Sequence, residues 1–167
     1  MSSALARIDE IRLVAFDIDG VFTDGRFYLS DDGVETKAFH TQDGYGVRRL
    51  IAAGVSAAVI SGRESAAVEK RMAELGVPHV ILGCKDKVAA LEELAGSLDI
   101  AVSDCAYVGD DLPDLPLLGH VGFSVAVANA VAELQQHCDY VTTRPGGAGA
   151  VREVCDLIVA ARSKPGQ

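Results

Sequence analysis

Two aspartates spaced two apart close an apolar run, Leu13-Val14-Ala15-Phe16-Asp17-Ile18-Asp19-Gly20. The run reads as a buried strand. Residues i and i+2 of a strand point the same way, so Asp17 and Asp19 can face one crevice beyond the strand's carboxyl end. Two carboxylates that close repel unless a proton or a cation lies between them, so the pair asks for a metal. Taken alone, Asp17 to Gly20 fits an acidic turn equally well, because Asp and Gly are favoured there. Polar residues at other strand ends have to decide between the two readings.

The remaining elements must bring those ends together. Apolar stretches at 55–60, 79–82, 105–108, 121–125 and 139–141 read as strands. Between them, helical spacing runs from Asp43 to a stop at Gly54, over 64–75, over 86–97 and over 112–118, with a last helix from about Gly149 to Arg162. Alternating strands and helices predict an α/β fold: a doubly wound, mostly parallel sheet with right-handed crossovers. Residues 1–12 read as a loose or partly helical lead-in, 163–167 as a loose tail, and 1–167 as one domain.

The exception lies at about 21–42. Residues 26–30 and 34–39 flank Asp31-Asp32-Gly33, a hairpin signature inserted after the first strand. Two strands carrying Phe27, Tyr28 and Phe39 are too marginal to stand alone, so they pack on their own domain or on other copies. Association into an oligomer is the expectation.

Hydrophobic residues make up 49% of the chain and charged residues 23%, the profile of a folded globular protein. A net charge of −9 argues against nucleic acid or an anionic membrane as partner. It still allows a small anionic substrate, provided that a metal and a few basic side chains reverse the sign locally. No apolar run reaches the ~18 residues a bilayer demands, and the start shows no basic-then-apolar leader. Cys84, Cys105, Cys138 and Cys155 form no CxxC pair, so reduced thiols and a cytoplasmic home are expected rather than zinc. The four histidines make no HxH or HxxxH pair, although His40, near the hairpin's end, is a candidate to touch substrate.

Collected from the strand ends, the candidates are Asp17, Asp19, Ser61 and Asp110 with Asp111, while Lys87 opens an intervening helix. A nucleophile, an acid/base, a hydroxyl, an ammonium and an acidic metal anchor together describe phosphoryl transfer. Asp17 would attack phosphorus, and Asp19 would protonate the leaving alkoxide and later deprotonate water. Mg²⁺ would be held by Asp17, the backbone carbonyl of Asp19 and Asp110. Ser61 and Lys87 would bind the equatorial oxygens. Asp114 either orients the metal shell or caps the short helix.

In order and spacing, Asp17-Ile18-Asp19-Gly20-Val21, Ser61, Lys87 and Gly109-Asp110-Asp111 resemble the four motifs of the haloacid dehalogenase-like phosphatases. A narrower likeness is carried by DGVFTDG at 19–25, by Phe39-His40-Thr41-Gln42-Asp43-Gly44, and by Ser61-Gly62-Arg63 with Arg71 eight residues on. Gly83 before Lys87 and Gly149-Ala150-Val151-Arg152-Glu153 complete it. Together these resemble the 3-deoxy-D-manno-octulosonate 8-phosphate phosphatase family. The resemblance implies a capless, Mg²⁺-dependent homotetramer whose inserted hairpins associate and whose neighbouring subunits help close each site. It also implies hydrolysis of the 8-phosphate, a step towards lipopolysaccharide. Carried over by position, Arg63 and Arg71 would meet the sugar-acid carboxylate or the phosphate, and Thr23 and Asp24 the hydroxyls.

One departure is Gly146-Gly147-Ala148-Gly149, which lacks the arginine that members often carry in this tail. Three other readings stay open. A sister phosphatase for nine-carbon, sialic-acid-type 9-phosphates shares most motifs, but tends to be acidic at the position of Arg63. A phospho-receiver module lacks an acid/base two residues after its phosphorylated aspartate. A silent scaffold would keep the fold without turnover.

Overall fold

Leu13–Phe16 forms β1, with all four residues buried, which is why the run shows no alternation of polar and apolar positions. Its neighbours are β4 (Ser56–Ile60) and β6 (Cys105–Gly109), and Phe16 lies in register with Val59 on one side and Val108 on the other. With β5 (His79–Ile81), β7 (Phe123–Ala126) and β8 (Tyr140–Val141), the sheet order is β5-β4-β1-β6-β7-β8. Every pair in it is parallel. The chain winds outward from β1 to β5, then returns to β6 and winds the other way. The switch therefore falls between β1 and β6, where an open α/β sheet leaves a crevice beyond its strand ends.

The computed structural model describes residues 5–163. The expected tail from 164 onward and the first four residues of the lead-in lie outside them. The rest of the lead-in is a 3-10 turn, Leu5–Glu10. The helices are α1 (Thr41–Ala52), α2 (Ala66–Leu75), α3 (Lys87–Ser97), α4 (Leu115–Leu118), α5 (Ala132–Gln136) and α6 (Ala150–Arg162). Helices α1 and α6 pack together, and Asp43 of α1 accepts from the backbone N–H of Arg152 at 2.9 Å. That bond satisfies one of the orphan donors at the start of α6, which Gly149 leaves without a side-chain cap. No helix among the described residues is long and apolar enough to cross a membrane.

The hairpin is shorter than expected: β2 (Tyr28–Leu29) and β3 (Glu35–Thr36) pair over two residues and form a sheet of their own. Tyr28, Leu29 and Val34 stand exposed on it, with Phe27 beside them.

Between β1 and the hairpin, the chain is pinned from within. The backbone N–H groups of Val21, Phe22 and Thr23 all donate to the carbonyl of Ile18. Ile18, Val21 and Phe22 are buried, and Phe22 meets Phe16 edge-on with 5.4 Å between ring centres. Phe22→Ala is expected to cost about 3–5 kcal/mol as a core truncation. Urea unfolding checks this as a lowered midpoint at unchanged slope.

Candidate active site

Because β1 and β6 are parallel neighbours, the residues that follow them come out side by side. Asp17, Asp19, Ser61, Lys87 and Asp110 line one cleft of about 350 Å³. Carboxylate oxygens of Asp17, Asp110 and Asp114 lie within 4.8 Å of one another. Lys87 is the first residue of α3, a helix started by Asp86, whose carboxylate accepts from Ala89 N at 3.0 Å. From there its ammonium lies 3.2 Å from Asp17, 2.6 Å from Asp114 and 3.1 Å from the hydroxyl of Tyr107.

Asp114 is the hub. One of its oxygens accepts from Lys87 and from Tyr107, at 2.6 and 2.7 Å, and the other from the backbone N–H groups of Asp110 and Asp111, at 3.0 and 3.4 Å. Asp111 answers by capping the 3-10 turn Leu112–Asp114 in a reciprocal capping box. Asp114 thus takes part in the cap of the short turn as its third residue. With both oxygens engaged, it orients the cluster from behind rather than offering itself as a metal ligand.

The electrostatics follow from this crowding. Burial, followed by the charge of Asp114, pushes Asp17 up to about 6 against the pull of Lys87. Burial, followed by Asp17 and Asp114, pushes Asp110 up to about 7. For Lys87, burial works to lower the pKa, but Asp17 and Asp114 outweigh it and hold the ammonium above its ordinary value. Burial and the Asp114 charge push Tyr107 well above the usual phenol range, so it stays neutral.

Two carboxylates raised by burial and by neighbouring negative charge, both hard oxygen donors, fit a divalent cation of the Mg²⁺ kind. The backbone fits as well. Gly20 turns at φ +91°, and a Cβ on it would lie 1.8 Å from an oxygen of Asp110, so the carboxylate rests directly on the loop that carries Asp19. Gly146 buttresses that loop from outside: a Cβ there would lie 1.7 Å from the Gly20 carbonyl. The glycine-rich tail thus packs on its own chain's loop.

Several expected residues lie elsewhere. The carboxylate of Asp19 stands outside the acidic cluster, ion-paired with Lys37 and 3.9 Å from Arg63, so only its backbone carbonyl is left to serve a metal. Thr23 is fully buried, and its hydroxyl accepts from Gly20 N and Gly25 N at 3.3 and 3.2 Å. It holds the loop instead of facing the cleft. Asp24 is exposed and accepts from Arg26 N. Arg71 stands on α2 beside α1, in a separate hollow with Tyr45 and Arg48. His40 caps α1 by accepting from Gln42 N at 3.2 Å.

Three partners escaped the sequence reading. Tyr107 sits inside an apolar strand, and Lys37 and Glu35 sit in the hairpin, where alternating polar residues look like a solvated face.

A parallel sheet whose switch point holds Asp17, Lys87 and Asp110 defines a haloacid dehalogenase-like hydrolase, and the sequence pattern of that family matches residues 84–153. The 3-deoxy-D-manno-octulosonate 8-phosphate phosphatase of Escherichia coli K12 is 45% identical over 163 residues, covering 98% of this chain and 87% of that protein. The structure of the Moraxella catarrhalis phosphatase of the same name, in complex with a magnesium ion, a phosphate ion and KDO, superposes with a TM-score of 0.94. It is 45% identical and covers 97% of this chain and 93% of that one. The cobalt-bound Haemophilus influenzae phosphatase gives a TM-score of 0.91 at 37% identity, covering 95% and 92%. The chain belongs to the 3-deoxy-D-manno-octulosonate 8-phosphate phosphatase family.

Asp17 and Asp110 make stability depend on pH with a definite sign. Both are raised in the fold, so their stabilising contribution is full below the ordinary carboxylate range and is lost as pH rises through about 6 and about 7. Chelator-treated protein should therefore melt lower at about pH 8 than at about pH 5, and Mg²⁺ should recover most of the difference. Calorimetry with Asp110→Asn as control, expected to flatten the dependence, checks this.

Proposed function

We propose that the protein hydrolyses 3-deoxy-D-manno-octulosonate 8-phosphate to 3-deoxy-D-manno-octulosonate and phosphate through an aspartyl phosphate on Asp17. The observation that carries this reading is the convergence of Asp17, Ser61, Lys87 and Asp110 at the switch point, in a chain 45% identical to an enzyme named for that reaction. Mg²⁺ would be held by the carboxylates of Asp17 and Asp110 and the carbonyl of Asp19, and would supply the charge that lets an anionic phosphate approach a carboxylate.

The chain's own groups do the rest. Lys87 and the Ser61 hydroxyl hold the equatorial oxygens of the phosphoryl group. An oxygen of Asp17 bonds to phosphorus as the bond to the 8-oxygen breaks, and that oxygen takes a proton from Asp19. Asp19 then takes a proton from water, whose oxygen attacks phosphorus, and phosphate leaves with Asp17 restored. Asp114 and Tyr107 keep Lys87 aimed throughout, and Arg63, at the hairpin side of the cleft, meets the sugar acid.

The reading takes 1–167 as one catalytic domain working in the cytoplasm, on the route to lipopolysaccharide. It also takes the working form as a homotetramer, because Tyr28, Leu29 and Val34 leave an apolar hairpin uncovered in the single chain. Arg71, in a hollow apart from its own cleft, and the exposed Asp24 then fall to a neighbouring subunit's site.

Asp17→Asn should abolish turnover, a loss of at least about a thousandfold, and excess chelator should do the same reversibly. Phosphate release from the eight-carbon ester and a nine-carbon 9-phosphate, measured side by side, tests substrate and chemistry together. Preference for the nine-carbon ester would sink the substrate and keep the chemistry. For the assembly, solution scattering at micromolar concentration should give a particle about four times the chain's mass, and a compact monomer would overturn the tetramer.

A further inference from the structure

We infer that Lys37, on the hairpin, is a positioning residue that fixes the carboxylate of Asp19 on the leaving-group side of the cleft. The inference rests on the reading of Asp19 as the acid/base given above.

The side chain of Lys37 is fully buried, and a buried ammonium is costly unless paired. Its ion pair with Asp19 joins the hairpin to the nucleophile loop, 18 residues apart in the chain. Glu35 stands 3.6 Å from the same ammonium, and the Phe27 ring lies 5.8 Å from it. Arg63 braces the arrangement from outside, 2.6 Å from Glu35, 3.9 Å from the other Asp19 oxygen and 4.1 Å over Phe27. Ser65, at the start of α2, donates to Glu35 at 2.8 Å rather than capping its helix.

Asp19 alone could turn towards Asp17, since the two stand two residues apart on the same loop. Two cations from beyond the floor hold it away. In-line displacement places the leaving oxygen opposite Asp17 across phosphorus. An acid must therefore stand outward of the floor, and Lys37 of the hairpin, with Arg63 beyond β4, holds Asp19 there. Lys37 exchanges no proton and has no access to substrate. When the bond from phosphorus to the 8-oxygen breaks, the proton passes from Asp19 to that oxygen, and the carboxylate left behind stays paired with the Lys37 ammonium.

Good leaving groups separate this role from a merely structural one, because they depart without a proton. The measurement is kcat/KM on the sugar 8-phosphate, on p-nitrophenyl phosphate and on acetyl phosphate. Lys37→Met should lower it about ten- to a hundredfold on the sugar ester and less than about threefold on the other two, the pattern of a misplaced acid. Lys37→Arg, which keeps a cation but moves its donors, should fall between wild type and Lys37→Met on the sugar ester alone. It carries the comparison if circular dichroism shows Lys37→Met unfolded.

An equal loss on all three substrates, or none, overturns the inference. Asp19→Asn separates the two levels. If that variant is selective for the sugar ester and the Lys37 variants are not, Lys37 has no positioning role and the acid/base reading stands. If Asp19→Asn is itself unselective, the acid/base reading fails and takes this inference with it.

Discussion

Three carboxylates and one ammonium share a crevice largely withdrawn from water, and that imbalance of charge is the constraint the structure is built to hold. Asp17, Asp110 and Asp114 would separate if they were free to do so. They cannot, because β1 and β6 are hydrogen-bonded along four registered pairs and deliver Asp17 and Asp110 to the same edge of the sheet. Asp114 is fixed by four donors, and Lys87 is fixed by the helix it begins. Repulsion that the fold refuses to relieve is what makes the site receptive to a cation and then to a phosphate.

A second layer of contacts governs where Asp19 stands. The floor of the cleft belongs to the sheet, but Asp19 answers to the hairpin, through Lys37 and through the Glu35–Arg63 pair. Asp17 and Asp19 are thus placed by different parts of the chain. The floor is rigid parallel sheet, whereas the hairpin pairs over two residues and depends on side chains for its position.

What could be read from the sequence follows the same division. Asp17, Ser61, Lys87 and Asp110 were legible because apolar runs mark strands, and a parallel sheet collects the ends of its strands whatever the detail of packing. The sheet's six strands were legible for that reason too. Helix α5, five residues with no capping side chain, carried too little periodicity to register. Residues whose side-chain partners no pattern announces could not be placed. Thr23 looked outward in a polar motif, but its hydroxyl closes the loop on itself. Arg71 shares helical spacing with nothing in the cleft and lies against α1. Lys37 and Glu35 looked solvated, since a strand's alternation says which side a residue faces but not what lies there.

Tyr107 carries a consequence of another kind. The chain contains no tryptophan and four tyrosines, and of these Tyr107 alone is both fully buried and bonded to the carboxylate that anchors the site. Tyr28 and Tyr45 are exposed to solvent, and Tyr140 is bonded to Glu153, away from the cleft. Tyrosine emission is sensitive to a carboxylate acceptor at the phenol, and here no indole masks it. The protein therefore carries one intrinsic fluorophore in direct contact with its acidic cluster, and three others that lie away from it.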